Sequence, residues 1–214
     1  MNRYALALST GFVLGVAAFA QSQEAQFLEA YRIFQSARNG DKSQVGPAIA
    51  AFEALARGEP QQPLYAAYLG AAATMRGRDA WMPWNKVKYT EQGLDSIDAA
   101  LAALKPEHDR QRLRGVPAGM EAQLVAASTF LDLPDAIFHR RPAARKLIEG
   151  LLRHSEFATT PAEFRVAVHV EAAKAARGEG QAAEERAHLE RVLSLATSGR
   201  EADSARARLM ELAP

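Results

Sequence analysis

The chain has 214 residues, long enough for one domain with its own core or for two small ones. Its 26 basic and 25 acidic residues nearly cancel, so no large field exists to draw it to nucleic acid or an anionic membrane, and membrane contact is expected only through an uncleaved leader. With no cysteine, disulfides, thiol catalysis and thiolate-ligated metals are excluded.

The first twenty residues read as a secretory leader. Arg3 supplies the basic start, Tyr4 to Ala20 carries no charge, and Ala18-Phe19-Ala20 places small residues where a signal peptidase needs them. Cleavage is expected after Ala20, with an uncleaved membrane anchor as the alternative. That alternative is weakened because the apolar run is near the short limit for a bilayer span and contains Ser9, Thr10 and two glycines. No cysteine follows the run, so a lipoprotein anchor is excluded. Losing Arg3 with the leader leaves 25 basic against 25 acidic residues. The expected organisation is a leader over 1–20 and one all-helical domain over 21–214, in the periplasm or secreted.

The rest is helical pattern broken by glycine and proline. Glu24 to Arg38 aligns Phe27, Leu28, Tyr31 and Phe34 and stops at Asn39-Gly40. Pro47 to Arg57 carries Ile49, Phe52 and Leu55. Pro63 suits a first helical turn, since its missing N–H is no loss there, and that helix runs to Met75 and a stop at Gly77. Asn85 is a capping residue for a helix with Leu94, Ile97, Leu101 and Leu104 on one face, ended by Lys105-Pro106.

Met120, Leu124, Ala127 and Leu131 share the next face, and Pro142 opens a helix with Leu147, Ile148, Leu151 and Leu152. Phe164, Val166, Val168 and Val170 alternate as a strand would. Thr160-Pro161-Ala162-Glu163 has the form of a capping box, and alanine is abundant beyond it, so a helix buried on all sides is expected. Residues 181–197 and the stripe Ala202, Ala205, Leu209, Leu212 complete the chain.

Short connectors predict antiparallel helix pairs that bury their apolar faces only by stacking. Leu64-Tyr65-Ala66-Ala67-Tyr68-Leu69-Gly70, with Gly77 seven residues on, resembles the first helix and turn of a tetratricopeptide repeat. Ala48, Phe52 and Pro60 resemble the second helix of a preceding unit, and Ala173, Gly178 and Ala183 a third, weaker one. The resemblance implies an all-α, tetratricopeptide-like right-handed superhelix or an irregular helical bundle. It further implies that Gly70 lets two helices touch, that Gly77 makes the turn, and that the domain binds protein or peptide. Pro106 lies 12 residues later than an uninterrupted repeat would place it, with the extra residues between Gly77 and Lys86.

That insertion holds both tryptophans. Asp79, Trp81, Trp84, Lys86 and Tyr89 are candidate binding residues, because loops on rigid scaffolds carry function and tryptophan is enriched at hot spots. The alternative is a packing plug, with Asp79 capping or pairing Arg76 or Lys86. Arg140 and Arg141, ahead of the helix at Pro142, are candidates for a carboxylate or phosphate, or for pairing with Asp132 and Asp135. His169 and His188 each precede a glutamate by two residues, a spacing that points to different helix faces, so no metal is expected.

No G-x-S-x-G elbow or phosphate loop is present, and Glu91, Asp95 and Asp98 read as a solvated helix face. The expected function is a non-catalytic extracytoplasmic scaffold for a protein or peptide partner, without cofactor. The alternatives are a small-ligand accessory of an envelope transport system, and an enzyme with a dispersed site drawn from Asp79, Glu91 and His139.

Overall fold

The computed structural model describes the backbone of residues 9–212 and the side-chain surroundings of residues 23–212. Among the described residues the chain is all-α. Its helices are α1 (Ser9–Arg38), α2 (Val45–Gly58), α3 (Pro63–Asp79), α4 (Pro83–Ala102), α5 (Ala118–Asp132), the single turn α6 (Asp135–Phe138), α7 (Arg141–Arg153), α8 (Ala162–Gly178), α9 (Ala182–Leu195) and α10 (Arg200–Glu211). The leader expected over residues 1–20 lies outside the described side chains, and its first eight residues lie outside the described backbone. From Ser9 the backbone runs helically through the expected cleavage point. No described helix is long and apolar enough to cross a membrane.

The helices stack as hairpins in two layers. Each long helix packs on the one before it and the one after it, and α1, α3, α5 and α8 also pack directly on one another in sequence. These four form the inner layer, with α2, α4, α7 and α9 outside. The difference is written in their side chains. Outer α7 buries a single stripe, Ala144, Ile148 and Leu151, as an amphipathic surface helix does. Inner α5 is buried almost all round, and alanine, glycine and serine at 118, 119, 122 and 126–128 let its neighbours approach closely. Aromatic rings fill the first two hairpins: Phe52 stacks on Tyr68 at 4.5 Å between centroids, and Phe34 meets Tyr68 edge-on at 4.9 Å.

Glycine sets the tightest hairpin. A Cβ on Gly70 would stand 2.5 Å from the Gly93 carbonyl oxygen, and a Cβ on Gly93 equally close to that of Gly70. Further along α3, a Cβ on Gly77 would stand 2.9 Å from the Lys86 carbonyl, so the partner residue number falls as that of α3 rises and the pair is antiparallel. Gly70 thus lets two helices touch, as expected. Gly77 does not make the turn: it lies inside α3 and serves a second backbone contact.

Three local expectations are corrected. The presumed insertion is mostly helix, with only Ala80–Met82 between α3 and α4, because Pro83 opens α4 at a position that needs no N–H. Asn85 therefore sits inside the first turn, its N–H donating to the Met82 carbonyl at 3.0 Å, rather than capping it. The capping box at Thr160 does not form, since the hydroxyl donates to the Phe157 carbonyl at 2.7 Å. Residues 164–170 belong to α8 and pair with no strand.

A short antiparallel hairpin separates α4 from α5. Its strands are β1 (Arg112–Leu113) and β2 (Val116–Pro117), with Leu113 opposite Val116. The two turn residues both take positive φ, Arg114 at 55° and Gly115 at 76°, as the right-handed twist of a two-residue turn demands.

Candidate functional site

The inner layer encloses a groove of about 760 Å³, walled by α1, α3, α5, α8 and the α9–α10 turn. Arg114 enters it because of its backbone. A non-glycine residue in the left-handed region is uncommon, and here it carries the guanidinium over the Tyr31 ring, 4.0 Å from its centre. Arg114 Nη2 then donates to Glu121 Oε1 at 2.7 Å. Tyr68 Oη donates to the same oxygen at 2.5 Å. Burial, with the Glu121 charge beside it, holds the Tyr68 hydroxyl well above its ordinary range, so it remains a donor. Glu121 is only 3% exposed, and its Oε2 and Arg114 Nε have no hydrogen-bond partner among the described residues.

A second network sits further along. Arg38 Nη2 donates to Ser128 Oγ at 2.5 Å and to Glu171 Oε1 at 2.7 Å, tying the end of α1 to α5 and α8. Asp132 lies 4.0 Å from Arg38 Nε and is also paired with Lys174. At the rim, Arg200 Nη1 donates to Asn39 Oδ1 at 2.6 Å. Arg78 grips Asp79 through two bonds of 2.8 and 2.9 Å, and that contact holds the Asp79 carboxyl below the usual range. Arg200 also pairs with Glu201, so each of the four arginines on the groove has an acid partner. What remains is a trough whose four arginines are offset by Glu121, Asp132, Glu163 and Glu201, so its lining carries no net formal charge.

The other expected site residues lie elsewhere. Trp81 is 89% exposed and Trp84 65%, which overturns the plug alternative. Tyr89 lies under Arg76, whose Cζ stands 4.1 Å from the ring centre and whose Nη2 donates to Tyr89 Oη at 3.3 Å. Lys86 is exposed. A shallow cleft of about 500 Å³ opens beside Trp81, between Lys42, Ile49, Arg76 and Tyr89. Asp79 thus borders both the tip and the groove rim, whereas Arg140 and Arg141 belong to neither.

Arg140 is engaged with Asp98 through bonds of 3.0 and 2.7 Å. The Arg141 N–H donates to Asp135 Oδ1 at 2.9 Å and its Nη1 to the Gly178 carbonyl at 2.9 Å. Asp79, Glu91 and His139 make no hydrogen bond to one another. His139 instead ends α6 in a left-handed conformation, φ 52°. No group of three or more potential metal ligands occurs among the described residues.

The groove residues are dispersed over four helices and a hairpin, so no local pattern marks them. One signal was present: Glu121 is the only charged residue of α5 ahead of its last position, Asp132, and a buried acid demands a partner. The Arg114-Gly115 turn is the other, a glycine beside the residue that supplies that partner. No family model, curated protein or solved structure matches this chain.

Proposed function

We propose that the chain is an exported, non-catalytic scaffold whose inner groove binds a peptide segment of a protein partner in the cell envelope. The observation that supports it is the groove itself. Its walls set the aromatic side chains Tyr31, Phe34 and Phe164 among hydrogen-bonding ones, Gln35, Ser128 and Glu163. A peptide main chain offers an N–H and a carbonyl at nearly every residue, and the internally neutralised arginines leave no net charge to demand an ionic ligand. The leader-like first twenty residues support export.

The test places a photo-crosslinking residue at Gln35, which lines the groove, and another on the outer face of α7, inside the producing cell. The expected product is a discrete protein adduct from position 35, with none from α7. Filling the groove by Ala167→Phe should remove that adduct while circular dichroism stays unchanged. Adducts equal at both positions, or indifferent to the filled groove, would overturn the reading.

A second reading, a small-ligand accessory of an envelope transporter, is favoured by the cavity volume, which lies in the range of small-molecule pockets. Thermal stabilisation by a small molecule, abolished by Ala167→Phe, would select it over the first.

A further inference from the structure

Seven large apolar side chains are exposed among the described residues, and four of them, Trp81, Met82, Trp84 and Val87, fall within seven positions at the α3–α4 tip. We propose that this tip docks the protein on membrane surfaces that carry anionic lipid.

Three observations converge on a bilayer. The first is composition. Residues 80–90 contain Lys86 and Lys88 and no acid. The nearest acid on the α3 side, Asp79, is already held by Arg78. Indole rings prefer the headgroup level of a bilayer, where one edge is apolar and the other wet, and lysines beside them are drawn to anionic lipid.

The second observation is shape. Trp81 stands on the turn at the edge of the shallow cleft and Trp84 in the first turn of α4, both largely exposed, and the cleft is rimmed by two more cations, Lys42 and Arg76, beside the already paired Asp79. Phosphate headgroups fit such a rim.

The third is rigidity. Gly77 brings the α3 and α4 backbones together within a turn of the tip, so the rings are presented without a mobile loop to order. This surface is separate from the groove, and the two proposals stand or fall independently. It also extends the membrane contact expected from the leader alone.

Both tryptophans of the chain lie in the tip, so selectively excited tryptophan fluorescence reports on it and is blind to residues 1–20. The purified chain is titrated with phosphatidylcholine vesicles containing roughly one third phosphatidylglycerol, against pure phosphatidylcholine. The expected result is a blue shift and quenching by brominated lipid with the anionic vesicles. Apparent affinity should weaken by roughly tenfold or more in high salt and in K86E/K88E, which retains both reporters. Trp81→Ala should reduce the shift seen from Trp84. Unchanged emission with anionic vesicles would overturn the proposal. So would a shift that K86E/K88E leaves intact, or a protein crosslinked from position 81 in cells whose purified chain ignores vesicles.

Discussion

His169 and His188 meet nitrogen to nitrogen, their Nδ1 atoms 3.1 Å apart between α8 and α9. One ring must donate and the other accept, so the contact survives only while at least one imidazole is neutral. Burial first, then His188 and the positive charges of Arg191 and Arg165, push the His169 pKa from 6.5 down to about 4. Burial and Arg145 lower that of His188 as well, against the opposing pull of Glu184. A depressed histidine stabilises the fold above its unfolded pKa, and that contribution is lost as pH falls through the folded value. Discounted for partial exposure, the loss between pH 6.5 and 4 should be on the order of 2 kcal/mol. Urea unfolding across that range measures it, and His169→Gln should flatten the slope; an unchanged slope would show that other groups carry it.

Removing Arg114 strips Glu121 of its cationic partner in a buried site. Arg114→Ala should destabilise by about 2–3 kcal/mol, less than a fully buried pair would show because Arg114 keeps some solvent contact. Arg114→Gly loses the same pair yet relieves the left-handed backbone, so it should be the milder variant by about 1 kcal/mol. Chemical denaturation of the two side by side separates backbone from charge. Equal losses would mean the turn stores no strain.

The α3–α4 contact tolerates no side chain. In Gly70→Ala or Gly93→Ala the new methyl meets a carbonyl oxygen, a neighbour that cannot swing aside. Each should cost about 3 kcal/mol or separate the hairpin. Gly58→Ala, where a Cβ meets nothing within 4 Å, serves as control and should be neutral or stabilising by about 0.5 kcal/mol. Thermal melts of the three variants decide it.

Trp81→Ala and Trp84→Ala should leave stability within about 0.5 kcal/mol of the parent, because both rings face solvent. A larger loss in calorimetry would indicate that the rings pack on the fold after all.

What the residues disclosed in advance was mostly periodic. The stripes of α1, α2, α5 and α7 and the alanine-rich run of α8 repeat over several turns, long enough for a helical period to outweigh the valine alternation at 166–170. Ends were less legible. Pro83 opened α4 before Asn85 could cap it, and Thr160 turned its hydroxyl back to Phe157. The β1–β2 hairpin, at two residues a strand, is too short to show alternation at all. The groove was hidden for a different reason: Tyr31, Tyr68, Arg114 and Glu121 are joined only by the stacking order of the helices. His169 and His188, nineteen positions apart on different helices, met by the same route.

Arg38 belongs to the first inner helix, yet its guanidinium ends on Ser128 and Glu171 of the third and fourth. The inner layer therefore curls far enough for its first helix to bond directly to its last, so a strain or substitution at one end of the stack is felt at the other without passing through the helices between.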